Sequence, residues 1–263
     1  MDNNENSVLI TGAASGIGLE FAKLFSLRGD TIILSGRDML KLEATKEQLG
    51  AVSSKIHLLQ ADLAEKDGAV DLYNQCKNNS FDVNILINNA GVGLYGEHTA
   101  LNANEVASMI TLNVTSLTTL CHLFGKDMKE RKHGYILNVA STAAYQPVPY
   151  FSAYAATKSY VLNFSEALSK ELEDYNVVVS CLSPGHTETN FFASAGIGNN
   201  NDGFFSRKNR VNANKVAAHG IDILFKKRIS SIPGFKNNVI AWSNRLVPRK
   251  TGVKITKGLT SKP

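Results

Sequence analysis

Residues 7–18 read SVLITGAASGIG, and the run LEFAKLFSL follows without a break. The first five residues, Ser7 to Thr11, are a short β-branched and aliphatic run of the kind that forms a buried strand. Gly12, Gly16 and Gly18 follow at the turn, and a pattern of helical period opens at Gly16 and continues to Leu27. Glycines placed there allow a tight turn, a close approach of backbone to a pyrophosphate, and close packing of the helix on the sheet. The helix N-terminus adds a field that favours phosphate charge. Strand, glycine turn and helix in that order predict a dinucleotide-binding crossover.

Working outward, the same alternation recurs along the chain. Candidate strands run from Thr31 to Ser35, Ile56 to Gln60, Val83 to Asn88, Gly134 to Ala140, Val177 to Leu182 and Ile229 to Ile232. Between them, helical patterns cover Met39 to Leu49, Lys66 to Lys77, Glu105 to Lys129, Ser152 to Glu173 and Asn214 to Phe225. The strands are nearly continuous apolar runs, as expected when helices cover both faces of a sheet. The fold class predicted is α/β, a Rossmann-type doubly wound sheet of seven parallel strands in a single domain over residues 1–263. A polar start (1–6) is expected to be disordered, residues 190–212 to form a substrate loop, and residues 234–263 a basic C-terminal extension. In such sheets ligands bind beyond the carboxyl ends of the strands.

Composition narrows the function classes. The chain of 263 residues is 43% hydrophobic and carries a formal net charge of +5. The basic excess is concentrated after Lys226, without the interleaved aromatic stripe of a nucleic-acid surface, so no nucleic-acid partner is expected. Cys76, Cys121 and Cys181 show no metal-ligand spacing and read as reduced, buried thiols, with no metal site. The start MDNNENS lacks the order of an export signal, and no uninterrupted apolar stretch of about 18 residues is found, so a soluble cytoplasmic protein without a transmembrane helix is expected.

Residues 154–158 read YAATK, which puts Tyr154 and Lys158 on one helical face. A nearby ammonium favours the phenolate, and the expectation is a tyrosine pKa brought down toward working pH. Ser141 closes the strand GYILNVAS, and Asn113 lies in ITLNVTS on the long helix before it. With the glycine turn, Asn113, Ser141, Tyr154 and Lys158 resemble the catalytic tetrad of the short-chain dehydrogenase/reductase family. The C-terminal part is similar to a bacterial subgroup described as DltE-like.

That resemblance implies an NAD(P)-dependent oxidoreductase acting on CH–OH donors. Tyr154 would protonate the developing alkoxide, Ser141 would hydrogen-bond the substrate oxygen, Lys158 would lower the tyrosine pKa and bind the nicotinamide ribose, and Asn113 would hold a relay water. For the cofactor it implies contacts from Gly12, Ser15, Gly16, Ile17 and Gly18 in the first turn, and from Asp62 and Leu63 after the third strand. It implies further contacts from Asn89, Ala90 and Gly91 in NNAG, from Tyr154 and Lys158, and from Pro184, Gly185, Thr187 and Thr189 in SPGHTET. Where NAD-preferring relatives carry an aspartate at the end of the second strand, this chain has Gly36 and then Arg37. Arg37 and Ser35 would meet a 2′-phosphate, so NADPH is expected in preference to NADH, which remains usable. Asp38 and Ser152 are expected to cap the helices they precede, and Asp62 is suited both to adenine contact and to capping. His186 reads as a loop histidine near the site.

The substrate is expected to be a small carbonyl or alcohol compound, apolar or aromatic, against a wall of Phe191, Phe192, Phe204, Phe205, Val92, Leu94, Tyr95, Tyr145, Val148 and Tyr150. A 3-oxoacyl thioester, carried on an acyl-carrier protein or CoA, is the alternative, and a non-enzymatic nucleotide sensor the remote one. A homo-oligomer, dimer or tetramer, is implied by the family. The basic tail carries an apolar stripe of Val239, Ile240, Trp242, Leu246 and Val247. It is open to capping the pocket, to a subunit contact, to a membrane surface or to an acidic carrier.

Overall fold

The computed structural model describes residues 6–50, 55–197, 210–244 and 246–261. Seven parallel strands form one sheet in the order β3-β2-β1-β4-β5-β6-β7. They are β1 Ser7–Thr11, β2 Thr31–Gly36, β3 Ile56–Gln60, β4 Ile85–Asn88, β5 Gly134–Val139, β6 Val177–Leu182 and the two-residue β7 Ser230–Ser231. The expected fold class is what is found, with β4 and β7 shorter than their apolar runs. Val83 and Ile232 are buried beyond the ladder, since a buried run need not be a hydrogen-bonded one.

The helices are α1 Gly16–Leu27, α2 Met39–Leu49, α3 Gly68–Asn78, α4 Ala103–Ile110, α5 Leu117–Arg131, α6 Ser152–Leu172, α7 Phe191–Ser194, α8 Ala213–Phe225, α9 Phe235–Ser243 and α10 Arg249–Thr260. Strand pleating divides the core between two faces. Leu9, Leu86 and Ile136 point to α3, α5 and α6, whereas Val8, Ile10, Ile85 and Ile87 point to α1, α2 and α8. Burying each such side chain contributes about 1.5–3 kcal/mol, and this sandwich fixes the strand ends that carry the site.

Three local expectations are corrected. The long helix is not one regular element: Thr111–Ser116 is a π-helical turn between α4 and α5. Single π turns inside α-helices often mark functional positions, and Asn113 lies in this one. The Ala103–Arg131 run is also long and apolar enough to cross a membrane by length and composition. It lies on the sheet instead, with Leu117, Leu120, Cys121, Phe124 and Met128 in the core. Asp62 does not cap α3, which opens at Gly68; its carboxylate accepts from Ala64 N at 2.9 Å and closes a turn before the helix. Ser152 is the first residue of α6 and provides no side-chain cap, because Phe151 takes the cap position with its ring drawn into the apolar cluster around Tyr154. Asp38 does cap α2, accepting from Lys41 N at 3.2 Å. At the start, Asn6 is held by Asp30, which accepts from its side-chain amide at 2.9 Å; residues 1–5 of the expected disordered start lie outside the described residues.

Candidate active site

β1 and β4 are neighbours whose crossovers leave in opposite directions, so a crevice opens beyond their carboxyl ends. The glycine turn lines it. Gly16 has φ +55°, and a Cβ there would stand 2.9 Å from the Thr189 methyl group, so the first turn and the SPGHTET loop face one another across the crevice. A Cβ on Gly18 would overlap the Gly12 carbonyl oxygen, which explains the absence of a side chain where α1 packs on the turn. Asn89 ties the floor together. Its amide donates to Thr11 O at 3.0 Å and Gly12 O at 3.2 Å, while the Thr11 hydroxyl accepts from the backbone of Asn89 and Ala90.

The donor set fits a dinucleotide. Ser15 is the N-cap of α1 and is exposed, with no side-chain capping bond, leaving its hydroxyl at a helix N-terminus. Among the described residues the buried Ser35 hydroxyl has no hydrogen-bond partner, although its carbonyl accepts from Ala13 N in the glycine turn. Arg37 is exposed at the end of β2, and among the described residues no carboxylate pairs with it. Asp38, the residue that tempered the cofactor expectation, is occupied by Lys41: the ammonium stands 3.1 Å from the carboxylate and holds it below its usual pKa. Leu63 is buried on the crevice wall, where its carbonyl accepts from Ser116. Pro184 is buried, and its carbonyl accepts from Thr142 N next to Ser141. Thr187 donates to Gly185 O at 3.0 Å, and the Thr189 hydroxyl accepts from Phe191 N at 3.2 Å.

Beyond β5 the proton-transfer candidates converge. Ser141 lies two residues past the strand and accepts from Ala143 N at 3.1 Å, which fixes its hydroxyl at the sheet edge. Tyr154, in the first turn of α6, is buried and hydrogen-bonded to Ser141. One turn further on, Lys158 Nζ donates to Val139 O at 2.9 Å and lies 5.8 Å from the Tyr154 ring centroid. The Asn113 amide clamps Val92, accepting from its N–H at 3.0 Å and donating to its carbonyl at 2.9 Å, and also donates to Thr157 Oγ1 at 3.1 Å. These bonds make the amide a positioning clamp on the loop after β4.

The electrostatics overturn one expectation. Burial pushes the Tyr154 phenol up to about 12, with the Ser141 hydrogen bond opposing it, and pushes the Lys158 ammonium down to about 8. Desolvation outweighs the pairing because both groups are dry and the ammonium is held by the Val139 carbonyl. In this state Tyr154 is a protonated phenol, the form that donates. The same burial explains why other groups are silent: His186 is pushed down to about 4, with Arg210 adding to the effect, so it is neutral at working pH, and the three free cysteines are each pushed up to about 12.

The wall around the phenol is apolar. Met109, Val148, Phe151 and Ala195 form a cluster with Tyr154, and Val92, Leu94, Tyr95 and Phe191 pack against it. Ring centroids of Phe151 and Phe191 lie 5.2 and 5.3 Å from that of Tyr154. Tyr150 joins through Tyr95 at 6.1 Å, and Phe192 through Phe191 at 5.5 Å. Tyr145 packs against the core cluster that holds α5 and α6. Phe204 and Phe205 lie outside the described residues. The beginning of the expected loop is ordered, since Tyr95 N donates to Ala195 O at 3.0 Å.

Sequence reasoning missed three contributors, Phe151, Asn237 and Thr260. Asn237 on α9 leans on the SPGHTET loop so closely that a Cβ on Gly185 would stand 2.5 Å from its amide nitrogen. The Tyr95 hydroxyl donates to Thr260 O on α10 at 2.5 Å. Contacts across 165 residues have no local signal. Only the apolar spacing of the tail hinted that these helices pack on anything.

A glycine-floored crevice thus stands beside the buried Tyr154 and Lys158 and the half-buried Ser141, on a doubly wound sheet. Residues 6–199 match the short chain dehydrogenase family, and the chain belongs to it. It is 32% identical over 181 residues to 17-beta-hydroxysteroid dehydrogenase type 3 of Mus musculus, an alignment covering 67% of this chain and 58% of that protein. The chain thus spans about three fifths of that relative's length. Among solved structures it superposes on a short-chain dehydrogenase from Sphingobium yanoikuyae in complex with NADPH, with TM-score 0.81, 28% identity, and 92% and 93% of the two chains covered. It also superposes on the bulky-bulky ketone specific alcohol dehydrogenase from Comamonas testosteroni, with TM-score 0.78, 25% identity and the same coverage.

Proposed function

We propose that the protein is an NADPH-dependent carbonyl reductase for apolar or aromatic ketones. The observation that carries this reading is the buried Tyr154 phenol beside Ser141, in an apolar cluster with Phe151, Phe191 and Tyr95. When bound, the dinucleotide supplies the hydride. Ser141 holds the substrate oxygen by a hydrogen bond, and Tyr154 delivers the proton to it as negative charge develops. Lys158 fixes the ribose and, while charged, stabilises the phenolate that remains. Asn113 holds Val92 in the wall. The apolar rings exclude water and select against a bare sugar.

Gly12, Ser15, Gly16, Ile17 and Gly18 would hold the pyrophosphate, Asp62 and Leu63 the adenine end, Asn89, Ala90 and Gly91 the floor, and Pro184, Gly185, Thr187 and Thr189 the carboxamide. Ser35 and Arg37 would meet the 2′-phosphate, which an exposed guanidinium with no carboxylate partner among the described residues supports. For Arg37→Asp, the ratio of kcat/KM with NADPH to that with NADH is expected to fall by about 100-fold, corresponding to about 2.7 kcal/mol of charge-assisted pairing. A ratio that stays within a factor of two would show that the phosphate is held elsewhere.

A panel of bulky aryl ketones, aldehydes, sugars and a 3-oxoacyl thioester, followed by nicotinamide absorbance, tests the substrate class. The aryl ketones are expected to turn over at least about tenfold faster than the sugars, the factor that one or two buried methylenes give. A higher kcat/KM for the thioester would replace the present choice with that activity. A homo-oligomer is proposed alongside, supported by exposed Ile110 and Tyr160 on α4 and α6, and a single-chain mass in solution would exclude it. The proposed compartment is the cytoplasm, which the unpaired buried cysteines support; recovery from a secreted fraction would refute it.

A further inference from the structure

The chain changes character after Asp222. Ten lysines and arginines follow, and not one aspartate or glutamate, whereas the preceding residues carry 18 cations against 23 acids. The asymmetry coincides with an unpartnered apolar surface. On α9, Phe235, Val239 and Trp242 are spaced four and three residues apart on one helical face, and Leu246 continues beyond the helix end. Phe235 is 85% exposed and Trp242 64%, while Asn237 and Ala241 turn the opposite face inward. On α10, Thr256 and Thr260 are buried and Ile255 and Leu259 project outward, four residues apart. Lys236, Arg249, Lys250, Lys254 and Lys257, on or at the start of the same two helices, are also exposed.

We propose that α9 and α10 form a docking face for an anionic phospholipid bilayer. Exposed aromatic and aliphatic side chains interspersed in sequence with exposed cations, on two short helices that each bury the opposite face, match the interfacial zone, where rings enter the headgroup boundary and ammonium groups meet phosphate. A second copy of the chain is disfavoured as occupant, since a two-fold contact would press the same cations together with no acid to answer them. An acidic carrier protein would use the charges but leave Phe235 and Trp242 unexplained. Docking would set the site against the lipid, because α9 touches Gly185 through Asn237 and α10 holds Tyr95 through Thr260. That consequence rests on the carbonyl-reductase reading; the docking itself does not, and its readout is binding.

The test uses the full chain and vesicles of phosphatidylcholine, with or without an equal amount of phosphatidylglycerol. Trp242 is the only tryptophan and serves as reporter. Sedimentation with anionic vesicles is expected to exceed that with neutral ones by at least about tenfold, with a blue shift of the Trp242 emission. Phe235→Ser with Leu246→Ser, and separately Lys250→Glu with Lys254→Glu, should each cut partitioning by at least about tenfold. Circular dichroism melts show whether these variants remain folded, and a single Phe235→Ser replaces either if it does not. No partitioning, binding without an emission shift, or a halving of solution mass in the Phe235→Ser variant with no loss of vesicle binding would each overturn the proposal, the last in favour of a second copy.

Discussion

Tyr154→Phe is expected to lower kcat for ketone reduction by at least about a thousandfold while leaving the dissociation constant for NADPH within about threefold. The phenol is the donor of the proton that the developing alkoxide needs, and general acids of this kind contribute about 10²–10⁴ in rate. The ring itself packs between Phe151 and Phe191, and phenylalanine keeps that packing. The hydroxyl loses only its bond with Ser141, so stability should change by no more than about 1 kcal/mol. Because burial holds the phenol at about 12, the wild-type reduction rate should not decline from tyrosine ionisation anywhere below pH 10. Turnover that persists in the variant, measured by single-turnover absorbance, would remove Tyr154 from the chemistry.

Lys158→Met should move activity and stability in opposite directions. The ammonium is pushed from 10.5 down to about 8 by burial, and a displacement of that size costs the folded protein about 3 kcal/mol at neutral pH. Methionine fills a similar volume without charge, but it leaves the Val139 carbonyl without its donor, which returns about 1–2 kcal/mol. A net gain of about 1–2 kcal/mol, or about 3–6 °C in Tm, is expected at pH 7. The sign follows from proton counting. Between about 8 and 10.5 the unfolded lysine binds a proton that the folded one has released, so wild-type stability rises with pH across that window. The gap between variant and wild type should therefore be full below pH 8 and close as pH approaches 10.5. Reductase activity should fall by at least about a hundredfold. A destabilised variant at pH 7 would mean that the ammonium is not dry.

Both effects were only half legible in the sequence. The Tyr-x-x-x-Lys spacing gives adjacency on a helix face, and adjacency favours a lowered tyrosine pKa. It says nothing of how much water Phe151, Phe191 and Met109 remove, and that removal decides the direction. The sheet was readable because both of its faces are covered, so each strand is a short uninterrupted apolar run, and the glycine turn was readable because its three glycines answer local steric needs. Boundaries failed where tertiary contacts set them: α3 waits for Gly68 because the Asp62 carboxylate closes a turn first, and Ser152 does not cap because Phe151 is drawn inward. Asn237, Phe151 and Thr260 reach the site through long-range packing, which periodicity cannot encode. The composition of the tail was legible, and what it faces was not.

The π turn at Thr111–Ser116 has a mechanical consequence. It accommodates one residue more than a regular α-helix would over the same rise, and so acts as a phase adjuster between two surfaces with separate demands. Upstream and within it, Met109 and Asn113 must face the loop and the phenol; downstream, Leu117, Leu120 and Phe124 must face the sheet. Each residue advances a helix by about 100°, so losing one here would swing one of those faces out of alignment. Loop geometry at Val92 and sheet packing beneath α5 are thereby coupled through a single inserted residue, and neither can drift by insertion or deletion without the other.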